Sequence, residues 1–134
     1  MTQNPTWQAV TQQPDQLGES PFWHPHEQML YWVDIPARQI RRANVFTGTV
    51  DSWAVPQEPG CIAPAASGGL VMALRDGIYR AREWGGALQP IARFNHDVKT
   101  TRLNDGKADP LGRFWAGTMY EPRDARRAEL HSVD

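Results

Sequence analysis

Apolar residues along this chain come in short runs cut by turn chemistry, and no stretch repeats with a convincing helical period. Met29 to Val33 is the first clear run, rich in aromatic and β-branched side chains. Gln39 to Val45 and Val50 to Val55 follow, divided by Phe46-Thr47-Gly48. Cys61 to Ala66 and Leu70 to Leu74 are divided by Ser67-Gly68-Gly69, and Arg75-Asp76-Gly77 is a hairpin signal before Ile78 to Arg82. Leu88 to Phe94, Phe114 to Met119 and Leu130 to Val133 are further strand candidates, with Trp7 to Val10 as one more at the front. Pro122 to Glu129 has good helix formers but no apolar face, so it reads as a loop. The fold class predicted from this pattern is all-β.

Three segments share one layout, a short strand, a tight turn and an apolar strand: Glu19 to Asp34, Gly60 to Leu74 and Asn104 to Thr118. Their turns start near Pro25, Ala66 and Pro110, which are 41 and 44 residues apart. Repeats of about 40–45 residues with four short strands each are the mark of β-propeller blades. A sandwich with coincidental spacing is the alternative. The strands add up to about two and a half blades, treated as one partial propeller domain over residues 1–134 with no separate linker or second domain. Such a set leaves an open sheet edge and apolar blade faces. A homodimer that completes the propeller, with Trp7 to Val10 of one copy filling the third blade of the other, would cover them.

Composition narrows the partners. The 134 residues carry a net charge of −1 and no basic stripe, which argues against nucleic acid. Mean hydropathy is −0.58, no apolar run approaches membrane-spanning length, and Met1 to Val10 lacks the order of a signal peptide. The single cysteine, Cys61, cannot form an internal disulfide, so a reduced, cytoplasmic protein is expected. Eleven glycines, eleven prolines and six tryptophans suit many short strands.

The repeat alignment isolates candidate chemistry. Glu19 lies six residues before Pro25, and Asn104 lies six before Pro110, on the strand that lines the channel of a propeller. The matching place in the middle unit is Gly60, which offers no side chain. A carboxylate and an amide oxygen converging there are hard donors for Ca²⁺, Mg²⁺ or Mn²⁺, and acceptable to Zn²⁺. Taken alone, each can equally serve a turn. Arg102 is two residues from Asn104 and would face the same way in a strand, able to bind hydroxyls or a carboxylate; a surface arginine is the alternative. His24-Pro25-His26 reads as exposed turn histidines, His96 and Asp97 could border the site, and Cys61 reads as a small buried hydrophobe.

Two long motifs carry a resemblance. Leu17-Gly18-Glu19-Ser20-Pro21-Phe22-Trp23 with Tyr31-Trp32-Val33-Asp34-Ile35-Pro36 resembles the opening of the regucalcin/gluconolactonase (senescence marker protein) family. The run from Arg102-Leu103-Asn104-Asp105-Gly106 through Gly117-Thr118-Met119 looks like that family's central motif. The likeness covers nearly the whole chain but only the first half of a family member. It implies a six-bladed propeller that binds one divalent cation in its channel and hydrolyses sugar lactones. By that resemblance Glu19 matches a metal ligand, and Arg102 and Asn104 match substrate-binding positions. The family also places a substrate-contacting carboxylate just after the Gly-Thr-Met turn; Glu121 is nearby, while the aligned position is Pro122. The remaining metal ligands, an asparagine and an aspartate that is also the family's general base, fall beyond Asp134, so no catalytic residue is expected within this chain.

The resemblance therefore implies a divalent-metal-dependent sugar lactone hydrolase of the gluconolactonase type, represented here by part of its site. The alternative is a non-catalytic half-propeller that binds metal or sugar weakly, or only self-associates.

Overall fold

The middle of the chain shows why the strands form as they do. Leu70, Met72 and Leu74 pack into one apolar core, while Ala73, with Val71 against it, packs into another. Ile62 opposes Cys61 and Ala63 in the same way, and Tyr79 and Ala81 oppose Ile78. Alternate residues point to opposite faces of a strand, so a sheet buried on both faces needs continuous apolar runs. Those are the runs that the sequence presents here.

In the computed structural model, which describes residues 4–134, these strands belong to three antiparallel sheets. The first is β1 (Gly18–His24), β2 (Met29–Asp34), β3 (Gln39–Asn44) and β4 (Thr49–Ala54), in chain order. The second is β5 (Cys61–Pro64), β6 (Leu70–Ala73), β7 (Gly77–Ala81) and β8 (Gln89–Arg93), again in chain order. The third contains β9 (Thr101–Ala108), β10 (Phe114–Tyr120) and β11 (Leu130–Val133). Each is an up-and-down meander, the form of a propeller blade. Among the described residues there is no helix, and hence none long and apolar enough to cross a membrane.

The first core joins Tyr31, Val33 and Ile40 of the first sheet to Leu70, Met72 and Leu74 of the second. The second core joins Cys61, Ala73 and Ile78 to Leu103, Phe114 and Ala116 of the third. The middle sheet is thus shared by both. Ahead of β1 the chain is tied to the first sheet. The buried Asp34 carboxylate accepts from the Gln16 and Leu17 amides at 3.0 and 3.2 Å, and Asp15 accepts from the Trp32 indole at 2.7 Å and pairs with Arg41.

Several expectations change. Trp7 to Val10 is not a strand, and Trp7 is 87% exposed. An apolar stretch forms a strand only where a partner edge offers hydrogen bonds, and none adjoins it. The strand expected over Cys61 to Ala66 stops at Pro64, because a Ser67–Gly69 turn closes through the Gly68 amide to the Ala65 carbonyl at 3.0 Å. His24 is half-buried rather than exposed: it ends β1 and its Nδ1 accepts from the Glu27 amide at 3.2 Å. The Met1 to Val10 reading falls partly, at residues 1–3, outside the described residues.

Candidate functional site

Two irregular strands build the candidate site. In β1 the pairing with β2 slips between Glu19 and Phe22, and Ser20 within that slip has φ 55°. A non-glycine residue in the left-handed region is held there by its surroundings. The hold is visible: the Ser20 hydroxyl accepts from the Ile62 amide at 3.1 Å, which pins the bulge of the first sheet to the second. Such bulges re-aim side chains, and this one positions Glu19. In β9 the pairing with β10 slips between Ala116 and Thr118, beside Asn104 and Asp105.

Glu19, Ser20, Asn104, Asp105, Lys107 and Trp115 line one groove of about 900 Å³. Glu19 comes from the first sheet and Asn104 from the third, as the repeat offset predicts. Gly60 explains how they approach each other. A Cβ at Gly60 would stand 2.5 Å from the Asn104 carbonyl oxygen and 2.6 Å from that of Leu103. The middle unit lacks a side chain at this place because β9 lies directly against it.

Arg102 is a buried residue, 7% exposed, and not the surface arginine of the alternative reading. Its Nη1 donates to the Leu103 carbonyl at 3.1 Å and to Asn104 Oδ1 at 2.9 Å. Its Nη2 reaches only the Met119 sulfur, at 3.5 Å. A thioether is a weak acceptor, so a better one could take that place. Because Asn104 presents its oxygen to the guanidinium, its amide N–H₂ is the part left for a groove ligand. A cation bound to that oxygen would lie close to the guanidinium charge, so Asn104 is better suited to a neutral or anionic ligand than to a metal.

The other candidates fall into place around this centre. Glu121 lines neither this groove nor its neighbour; it pairs with Arg75, and its Oε2 lies 3.9 Å from Arg102 Nε. Arg75 in turn meets Glu58 at 3.6 Å, as does Arg38. Glu121 therefore orients Arg102 from behind. His96 Nε2 bonds to the Arg75 carbonyl at 2.9 Å, and Asp97 closes the turn into β9 by taking the Lys99 amide at 3.0 Å; neither lines the groove. Burial pushes the Cys61 thiol up to about 12, which leaves it inert at neutral pH.

Sequence reasoning overlooked Asp105. Strict alternation would turn it away from Asn104, but the slip in β9 and the position of that strand at the edge of its sheet let both line the groove. Among the described residues no three His, Cys, Asp or Glu side chains converge to hold a metal. Glu19 and Asp105 supply carboxylate oxygens in the groove, fewer donors than the six to eight oxygens Ca²⁺ takes, so waters, substrate or further protein groups would have to fill the shell.

With this geometry in view, the chain can be set beside known proteins. The family model for the SMP-30/gluconolactonase/LRE-like region matches residues 17–134. The 6-deoxy-6-sulfogluconolactonase of Pseudomonas putida is 41% identical over 131 residues, covering 98% of this chain and 45% of that protein. Regucalcin of Xenopus laevis is 37% identical over 115 residues, covering 85% and 38%. The crystal structure of a calcium-binding protein, regucalcin, from Agrobacterium tumefaciens superposes with a TM-score of 0.83 at 25% identity, over 92% of this chain and 42% of that one. A luciferin-regenerating enzyme superposes with a TM-score of 0.77 at 28% identity, over 90% and 43%. The chain spans less than half the length of the relatives it matches.

Proposed function

The chain belongs to the SMP-30/gluconolactonase/LRE-like family, and from that premise we propose that its groove is part of the site of a divalent-metal-dependent sugar lactone hydrolase in the reducing cytoplasm. One observation carries the reading: Glu19 and Asn104, drawn from different sheets, line the same groove, and the buried Arg102 holds the Asn104 side-chain oxygen from beneath it. Lactones of sugars with neutral hydroxyls, and lactones bearing a sulfo group such as the Pseudomonas putida relative is named for, share the ring that such a groove would hold.

Each residue has a role that follows from its surroundings. The Asn104 amide would hold ring hydroxyls and fix the lactone against rotation, with Arg102 Nη1 holding the Asn104 oxygen and so setting the amide's direction. Burial of Arg102 strengthens its bond to Asn104, since the guanidinium meets little water. Glu121 and Arg75 keep the guanidinium oriented before substrate arrives. Glu19 would be the protein's anionic ligand to a cation, which when bound supplies Lewis-acid polarisation of the lactone carbonyl.

The test is opening of δ-gluconolactone at neutral pH, followed by acid release, with Ca²⁺, Zn²⁺ or Mn²⁺ added. The chain should open the lactone faster than the spontaneous rate and in a cation-dependent way, but below the ordinary enzyme range of about 1–1,000 s⁻¹. Arg102→Met and Glu19→Gln should each remove the effect. Opening that ignores both substitutions contradicts the reading. A turnover number within the ordinary range would show that these residues already include the catalytic base, contrary to expectation.

A further inference from the structure

A second groove, of about 510 Å³, adjoins the first at Asn104, which lines both. Its other wall is the loop between β10 and β11, with Arg123, Arg126 and Arg127. The loop has no regular structure, yet both of its ends are fixed. The Arg123 amide donates to the Tyr120 carbonyl at 3.2 Å, and the Thr118 amide donates to the Glu129 carbonyl at 2.8 Å. The Glu129 amide also donates to the Thr118 hydroxyl at 2.7 Å, and the Arg127 guanidinium stacks 5.3 Å from the Tyr120 ring centre.

The charge here is not neutralised from within. Among the described residues no carboxylate lies within ion-pair distance of Arg123, Arg126 or Arg127. The one acid between residues 122 and 128, Asp124, forms no ion pair with them; it lies beside Tyr120, whose hydroxyl pKa it raises. The two nearest carboxylates along the chain are also engaged, Glu121 with Arg75 and Arg102, and Glu129 with His131 at 3.3 Å. Three arginines, none of them ion-paired with the three acids of this stretch, leave a cationic pocket. Scattered surface arginines are ordinary; three on the rim of one cavity, next to a residue of the lactone groove, are not.

We infer that this pocket binds an anionic substituent, a sulfonate or a phosphate ester, carried by the sugar whose ring lies at Asn104 in the first groove. Guanidinium groups are well matched to such groups because their planar N–H pairs meet two oxygens at once. The inference rests on the lactone reading and deepens it by specifying the substrate class. A neutral ring would occupy the first groove alone, whereas a ring charged at the carbon remote from its carbonyl would span both.

The experiment uses three non-hydrolysable ring analogues that differ at one carbon: 1,5-anhydroglucitol, its 6-phosphate and its 6-deoxy-6-sulfonate. Binding of each to the protein and to Arg126→Gln/Arg127→Gln is measured by calorimetry, with circular dichroism to confirm folding. At least one anionic analogue should bind the parent about tenfold or more tightly than the neutral one, the scale of one charge-assisted hydrogen bond. The double variant should bring that preference within about twofold and leave the neutral analogue's affinity unchanged. Which anion is preferred identifies the substituent. Equal binding of all three by the parent, or a preference that survives in the variant, overturns the inference and leaves the lactone reading standing. If none of the three binds, both fall.

Discussion

At the scale of single residues, the site depends on groups held under tension or charge. Ser20 sits at positive φ with its hydroxyl oxygen accepting from the Ile62 amide, and Arg102 is buried with its charge shared among Asn104, Leu103 and Glu121. Asp109 shows the same economy in the β9–β10 turn. The Trp115 indole N–H at 2.9 Å, opposed by desolvation and aided by the Arg113 and Leu111 groups, holds its carboxyl well below the usual carboxylate range. A depressed folded pKa means that the native state favours the ionised form. The stabilisation is therefore complete above the unfolded value, about 3.9, and is lost as pH falls through the folded one. Thermal melts of the parent and Asp109→Asn should differ by a constant amount from pH 7 to about 4 and converge below that. A difference that persists unchanged to pH 2 would contradict this. The convergence of Glu19 and Asn104 on one groove was legible in the sequence, because their offsets from turn prolines match; the burial of Arg102 beneath it was not. Asp105 and Ser20 were not legible either, since bulges break the strand period. The partners of Arg102 were hidden too: Glu121 and Arg75 lie 19 and 27 residues away along the chain.

At the scale of elements, strand positions followed from apolar runs and turn residues, and the loop over 122–129 followed from the lack of an apolar face. Trp7 to Val10 failed because side-chain character cannot supply a neighbouring edge. Gly60 is the element-level residue with the clearest consequence. Its amide donates to the Ala73 carbonyl at 2.8 Å, and β9 lies where its side chain would be. Gly60→Ala should cost about 1–3 kcal/mol, the usual penalty for overpacking. It should also weaken ligand binding, because the backbone it displaces is that of Leu103 and Asn104. Urea unfolding with a parallel binding titration checks both. An unchanged midpoint would mean that the third sheet can move aside freely.

At the scale of the molecule, two cores share one sheet, so the sheets should not unfold separately. Met72 is fully buried in the first core, and Met72→Ala should cost about 2–5 kcal/mol and shift the whole transition without splitting it. Separate transitions by tryptophan fluorescence and circular dichroism would contradict that shared core. The repeat spacing made the blades and the shared groove of Glu19 and Asn104 legible, but not the close approach of the third sheet to Gly60, which depends on a missing side chain there. The central claim is that Glu19 and the Arg102–Asn104 pair act in one site. Calorimetric binding of 1,5-anhydroglucitol with and without Ca²⁺ tests it most directly, because ligands of a common site change each other's affinity reciprocally. In the parent, Ca²⁺ should tighten sugar-analogue binding by about threefold or more, on the scale of a small coupling energy. That gain should vanish in Glu19→Gln, and binding itself should vanish in Arg102→Met. An affinity that is the same with and without Ca²⁺, or a gain that survives in Glu19→Gln, would contradict the claim.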